Sequence, residues 1–227
     1  MSEQLDSFVE QMLIPVFGID TELMWNQFFE NDVVLSQQQL NSAKALYKEL
    51  KEKVLNGLNS DRCGKWDSIN AGSIFDQTKV DEPDEFDCLL VPRIPSGYIK
   101  AEYESAPPGF CYIRVLEENC FTEFCERGYL SSKKWRDHFT SRLKEIVTGI
   151  NNWECLPSYD GSAAVPVSCR TRSTNDIDVD LVPALHVLSW PSRARSRDEI
   201  DKIIPSDGLQ GHHVVAKAYK ENGIITL

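Results

Sequence analysis

The stretch Asp84-Glu85-Phe86-Asp87-Cys88-Leu89-Leu90-Val91-Pro92 carries the pattern on which the fold turns. Side chains alternate across a β-strand, so Phe86 and Cys88 fall on one face while Glu85 and Asp87 fall on the other. Pro92, which has no N–H to give a ladder, ends the run. A second stretch, Asp176-Ile177-Asp178-Val179-Asp180-Leu181, repeats the pattern with Ile177, Val179 and Leu181 inward and the acids opposite. An ionised acid is costly when buried and unremarkable when solvated. Taken alone, each stretch therefore reads first as a half-exposed strand with a polar outer face.

Helix and strand signals surround these two stretches. Ser36 and Gln39 form an S-x-x-Q capping box. Leu40, Ala43, Tyr47, Leu50 and Val54 then recur at three- and four-residue spacing. This predicts one long helix from Ser36 to about Leu58, with Asn56-Gly57 and Asn59-Ser60-Asp61 as stop signals. A second helix is predicted from Ser131 or Ser132, burying Trp135, Phe139, Leu143, Ile146 and Ile150, with Gly149 near its end. The segment Leu5–Phe29 is partly periodic and is divided by Pro15 and Gly18. Further strands are predicted at Phe110–Leu116, after the turn Pro107-Pro108-Gly109, and at Ala163–Cys169 and Ile177–Leu188, the last two joined by a polar turn Arg170–Asn175. Helix, strands, helix, strands describes a mixed α/β (α+β) domain whose sheet is covered on one face.

The 227 residues carry 24 Lys+Arg against 35 Asp+Glu, a formal net charge of -11, with 41% hydrophobic and 26% charged residues. That balance excludes disorder of the whole chain and fits one large domain, or one plus an incomplete second. No run approaches the ~18 consecutive apolar residues of a membrane span. The start, MSEQLDSFVEQ, has acids where a secretory leader is basic, so a cytoplasmic protein with no membrane partner is expected. A pI near 4.9 argues against a surface coated in basic charge for nucleic acid, while leaving room for a local basic stripe. Neither an internal repeat nor a low-complexity tract stands out.

Chemistry enters with Ala71-Gly72-Ser73, whose serine lies twelve residues before Glu85. The reading places it between a helix and a strand. Glycine at such a turn lets backbone approach a ligand closely, and the serine hydroxyl donates to a phosphate oxygen. A Gly-Ser turn, an acid-x-acid strand and a later strand acid form the layout of a two-metal phosphoryl-transfer site. Two Mg²⁺ or Mn²⁺ ions about 3.5–4 Å apart need shared carboxylates on a rigid surface, with a nucleotide's phosphates beside them.

Gly72-Ser73, Glu85-Phe86-Asp87, Val91-Pro92-Arg93-Ile94 and Val179-Asp180-Leu181-Val182-Pro183-Ala184-Leu185 together resemble the cyclic GMP-AMP synthase-like receptors. Those receptors belong to the wider Mab-type (male-abnormal-twenty-one-like) nucleotidyltransferases. Trp190-Pro191 and Val214-Val215-Ala216-Lys217 also sit where that family has a Trp-Pro and a strand ending in lysine. The resemblance implies a nucleotidyltransferase-type mixed β-sheet with a long spine helix and flanking helices, the spine being the Ser36–Leu58 helix. It implies an N-terminal helical segment over 1–35 and a nucleotidyltransferase core over 36–227, with the family's C-terminal helical lobe absent. It implies joining of ATP and GTP, or another nucleotide pair, into a cyclic dinucleotide messenger of innate immunity, switched on by double-stranded RNA or DNA or another ligand. By position, Glu85, Asp87 and Asp180 match the catalytic, metal-binding acids. Gly72 and Ser73 match the turn at the nucleotide's phosphates, and Lys217 matches a lysine near the bound nucleotide. Asp178 shares a face with Asp180, but the context Val-Asp-Leu-Val-Pro-Ala-Leu points to Asp180 as the ligand.

Two other classes stay open on the residues: a catalytically silent nucleotide-binding or scaffold member of the same fold, and a globular interaction domain with incidental acid-x-acid strands. Cys63, Cys88, Cys111, Cys120, Cys125, Cys155 and Cys169 show no C-x-x-C pair, so reduced thiols are expected and no zinc site. Lys44, Lys48, Lys51 and Lys53 interleave with Glu49 and Glu52, the pattern of a solvated helix face. Lys133, Lys134, Arg136, Arg142 and Lys144, and Arg193, Arg195 and Arg197, are the stronger basic clusters. His212 and His213 point to opposite faces of a strand and read as structural or surface residues. Trp25, Trp66, Trp135, Trp153 and Trp190 are expected in the core or a cleft wall.

Overall fold

The computed structural model describes residues 21–28, 36–76, 78–79, 82–95, 97–159, 161–170, 176–188, 211–217, 219–221 and 224–226. The helices are α1 (Thr21–Phe28), α2 (Gln37–Leu58) and α3 (Ser132–Thr148). The strands are β1 (Trp66–Ala71), β2 (Glu85–Pro92), β3 (Ile99–Glu102), β4 (Tyr112–Val115), β5 (Cys125–Glu126), β6 (Tyr129–Leu130), β7 (Trp153–Cys155), β8 (Val165–Cys169), β9 (Ile177–Val187), β10 (His212–Val215), β11 (Tyr219–Glu221) and β12 (Ile224–Thr226). The main sheet runs β1-β2-β9-β8-β7, with β10 added to the far half of β9. Its β2–β9 pair is parallel and its other pairs are antiparallel, so the sheet is mixed. A smaller sheet runs β3-β4-β6-β5, and β11 pairs with β12.

The predicted stripe on α2 is the buried one: Ala43, Tyr47, Leu50, Val54 and Leu58 face the core. Ser36 stands at the N-cap without a side-chain cap bond, which corrects the expected capping box. At this exposed end the Gln37 amide donates to Asn41 Oδ1 at 2.9 Å instead. Asn56-Gly57 does not stop the helix. Gly57 lies within the last turn, and Asn59 caps the end while its Oδ1 accepts the Trp66 N–H at 2.8 Å.

In α3, Ser131 caps the N-terminus by accepting from the Lys134 N–H. Trp135, Phe139, Leu143 and Val147 are buried, so Val147 takes the place expected for Ile146. Ile146 is displaced because it packs on α2: a Cβ built on Gly57 would fall 2.6 Å from Ile146 Cγ1. Gly57→Ala is therefore expected to destabilise the native protein by about 1–3 kcal/mol through overpacking. With Ile146 already Ala, the same change is expected to stabilise by about 1 kcal/mol through helix propensity. Thermal unfolding of the four proteins checks it; one sign in both backgrounds would mean that the helices do not meet here.

The structure joins Cys63 to Cys120 in a disulfide, which corrects the expectation of uniformly reduced thiols; the other five cysteines are free. The pairing spans 57 residues, so no local spacing announces it. It ties the loop after α2 to the loop before the 3₁₀ turn Thr122–Phe124, next to an Arg62–Glu123 ion pair. A loop of this length corresponds to about 4 kcal/mol in the chain-entropy model. A reductant is expected to lower the unfolding temperature of the native protein and to leave Cys63→Ser unmoved; equal sensitivity of the two would contradict the bond.

Trp66, Trp135 and Trp153 are core residues as expected, whereas Trp25 on α1 is 53% exposed. Trp190 and the arginines 193, 195 and 197 lie outside the described residues, as do most of the 1–35 segment and the turn 171–175. Among the described residues, no helix is long and apolar enough to cross a membrane.

Candidate active site

The acid edge begins with packing on its opposite face. Tyr47 of α2 stacks on Phe86, with ring centroids 4.7 Å apart and planes 8° from parallel. The Tyr47 hydroxyl donates to Asn70 Oδ1 at 2.8 Å. Burial, then the neighbouring Cys88 and Asp87, raise its pKa well above the ordinary tyrosine value, so it stays a neutral donor. Phe86 and Cys88 are thereby held inside, and strand alternation turns Glu85 and Asp87 outward as predicted.

β9 presents the matching acids. Ile177, Val179 and Leu181 are buried, leaving Asp178 exposed and Asp180 half-buried. The parallel register pairs Glu85 with Asp178 and Asp87 with Asp180, and the Asp178 N–H donates to the Asp84 carbonyl at 2.7 Å. Four carboxylates thus form a two-by-two array on one face of the sheet. Burial, then Glu85 and Asp76, raise the Asp87 carboxyl above its ordinary range. Burial, then Asp87, Glu85 and Asp178, raise that of Asp180. Like charges opposite one another on a sheet destabilise it, so this arrangement works against the fold that holds it.

The Gly-Ser turn lies directly on the array. Ala71, the last residue of β1, pairs with Asp87, so the element before the turn is a strand and not the expected helix. The polar β1 sequence Trp-Asp-Ser-Ile-Asn-Ala lacks the apolar alternation that would have marked it. Gly72 has φ +84°, and a Cβ there would fall 2.0 Å from Asp87 Oδ2. Both the backbone conformation and the carboxylate therefore demand glycine. Its carbonyl accepts from Phe75 and Asp76 N–H groups, and the Ser73 carbonyl accepts from those of Thr78 and Lys79.

Lys79, Asp84 and Asp76 belong to the same neighbourhood and were missed from the sequence. The Lys79 ammonium lies 2.9 Å from Asp84 Oδ1 and 3.7 Å from Glu85 Oε2. Its hydrogen bond to Asp84 raises its pKa above the ordinary value. An acid run with one lysine just ahead of it was the available signal. Lys217 is exposed and two residues past Val215, the last paired position of β10. The antiparallel register sends that end of β10 toward the Asp180 end of β9, without a bond that ties Lys217 to the acids.

Carboxylate oxygens are the hard donors that Mg²⁺ and Mn²⁺ prefer, so the residues present fit such ions. The array is not a closed cage: among the described residues, no three His, Cys, Asp or Glu side chains are gathered around one point. Glu85 leans to Lys79 instead. No zinc cluster is formed among the described residues either.

The histidines face opposite ways. His212 Nε2 lies 2.6 Å from the Tyr103 hydroxyl, and His213 meets His186 across β9 and β10. Several basic residues of α2 and α3 pair with acids: Lys53 with Glu49, Lys133 with Asp137, Lys134 with Glu126 and Arg142 with Glu145.

A mixed sheet with strand acids in register and a Gly-Ser turn against them is the frame of a nucleotidyltransferase. The Mab-21 protein nucleotidyltransferase domain matches residues 74–224, and the chain belongs to that family. It is 26% identical over 175 residues to a cyclic GMP-AMP synthase-like receptor of Magallana gigas, covering 67% of this chain and 28% of the receptor. It is 27% identical over 130 residues to the cyclic GMP-AMP synthase of Mus musculus, and 26% identical over 126 residues to that of Sus scrofa. Each match covers 55% of this chain and 25% of the synthase. The chain thus spans about a quarter of the length of these curated relatives.

Proposed function

We propose that residues 36–227 form the catalytic core of a metal-dependent nucleotidyltransferase that joins ATP and GTP into a cyclic dinucleotide. The observation that carries this reading is the acid array, Glu85 beside Asp178 and Asp87 beside Asp180, with Gly72 pressed against Asp87. A 3′- or 2′-hydroxyl attacks the α-phosphorus of a bound nucleotide, and the bond to pyrophosphate breaks in line. Glu85, Asp87 and Asp180 bind Mg²⁺ or Mn²⁺, which supplies neutralisation of the leaving pyrophosphate and a lowered pKa for the attacking hydroxyl. Gly72 admits the triphosphate close to the backbone, and the Ser73 hydroxyl donates to a phosphate oxygen. Lys217 contributes positive charge to the nucleotide from beyond β10. Rigid strands hold these groups in place, which is much of what phosphoryl transfer asks of a protein.

The names of the relatives, cyclic GMP-AMP synthases and a synthase-like receptor, support a cyclic dinucleotide as product. A cytoplasmic role in innate immune sensing, under a double-stranded RNA or DNA activator, is part of the proposal and rests on the family resemblance alone. The test is incubation with ATP, GTP and Mn²⁺, with and without such an activator, read by mass spectrometry and pyrophosphate release. A dinucleotide that disappears in Asp180→Ala is expected. Retained synthesis in that variant would remove Asp180 from the site. The contact between Glu85 and Lys79 favours a second reading, a silent nucleotide-binding scaffold. Nucleotide binding without pyrophosphate release would select it.

A further inference from the structure

The acid edge contains a cation of its own. The Lys79 side chain is only 17% exposed, which is unusual for a lysine and calls for a partner. Backbone and side chain both hold it. The N–H groups of Thr78 and Lys79 donate to the Ser73 carbonyl at 2.9 and 3.1 Å, folding the segment back onto the Gly-Ser turn. The ammonium then reaches Asp84 at 2.9 Å and Glu85 at 3.7 Å. Glu85 is the cross-strand neighbour of Asp178, whose N–H bonds the Asp84 carbonyl. Lys79 therefore stands at the outer corner of the array, where β2 and β9 enter the sheet side by side.

We propose that Lys79 is the built-in counter-ion of this edge, holding Glu85 in the metal-free chain and competing with a divalent cation for that carboxylate. The inference rests on the nucleotidyltransferase reading above and concerns what happens at Glu85. The four acids repel one another, and an ammonium at the Glu85 corner offsets part of that repulsion. A divalent ion on the same carboxylate would sit within a few ångströms of the ammonium, and like charges at that range repel even when partly screened. Glu85 must turn from Lys79 to take the ion, while Asp84, the closer partner, keeps the lysine in place. Lys79 is thus a positioning residue that acts through Glu85: it sets the affinity of the edge for cations and keeps Glu85 ordered until one arrives.

The experiment titrates Mn²⁺ alone, without nucleotide, at low ionic strength, following free Mn²⁺ by electron paramagnetic resonance. Wild type, Lys79→Met, Lys79→Gln and Lys79→Arg are compared after circular dichroism has established that each is folded. The neutral variants are expected to bind Mn²⁺ about fivefold more tightly than wild type, by loss of the repulsion. That gain should shrink as salt is added, and Lys79→Arg, which keeps the charge, should stay near wild type. Equal or weaker binding in both neutral variants, with wild-type binding intact, overturns this proposal alone. No Mn²⁺ binding in wild type and neutral variants alike overturns it together with the metal-site reading on which it rests.

Discussion

Asp87→Asn is expected to raise the thermal stability of the metal-free protein and at the same time to abolish metal-dependent nucleotide binding. The two effects have one cause. Asp87 sits beside Asp180 across the parallel β2–β9 register, and burial with neighbouring acids raises both carboxyls above their ordinary range. A carboxyl whose folded pKa is raised binds protons more readily in the native state than in the unfolded one. Stability is therefore lost as pH rises from the unfolded value through the folded one, and at neutral pH the ionised pair works against folding. Asparagine keeps the shape and removes the charge. A gain of about 1 kcal/mol is expected from relieving one like-charged cross-strand pair, or about 2–4 °C in a chain of this size. The gain should vanish in acid, where the wild-type carboxyl is itself protonated. Mn²⁺ should raise the melting temperature of the wild type and leave the variant unmoved. A variant that melts lower than wild type at neutral pH, or still responds to Mn²⁺, contradicts the account. Because Asp87 and Asp180 touch the same site, the two substitutions should not be additive.

Gly72→Ala has the second-largest expected effect, since it strikes the joint between the Gly-Ser turn and the acids. Its positive φ costs an alanine about 1–2 kcal/mol. The added Cβ also falls 2.0 Å from Asp87 Oδ2, so the carboxylate must leave its place. Gly109 supplies the control: its φ is +80°, and nothing lies within 4 Å of a Cβ there. Gly109→Ala should show the backbone cost alone and retain metal-dependent nucleotide binding. Gly72→Ala should lose more stability in thermal unfolding and lose that binding. Identical behaviour of the two variants would mean that the turn does not bear on Asp87.

Local periodicity made much of this legible in the sequence. The alternation at 85–88 and 177–181 already separated Phe86, Cys88, Ile177, Val179 and Leu181 from the acids, and the structure buries the first set. The stripe on α2 was equally plain because three- and four-residue spacing is a property of the helix itself. What stayed hidden depends on partners distant in sequence. The parallel register that sets Asp87 beside Asp180 joins strands some ninety residues apart, and only the fold fixes it. The Cys63–Cys120 bond and the His186–His213 contact are of the same kind. β1 was missed because its exposed polar positions break the alternation, and β5 and β6 because two residues carry no period. Spacing alone puts Ile146 rather than Val147 in the core, because it cannot show Gly57 opening a slot on α2 for Ile146.

The most direct test of the central claim is calorimetric titration of ATP into the chain, with and without Mn²⁺, for wild type and Asp87→Ala. The account predicts binding to the wild type that requires Mn²⁺ and disappears in the variant, with both proteins folded. Binding of equal strength in the variant, or in the absence of the metal, would contradict the claim that the acids of β2 and β9 form a metal-dependent nucleotide site.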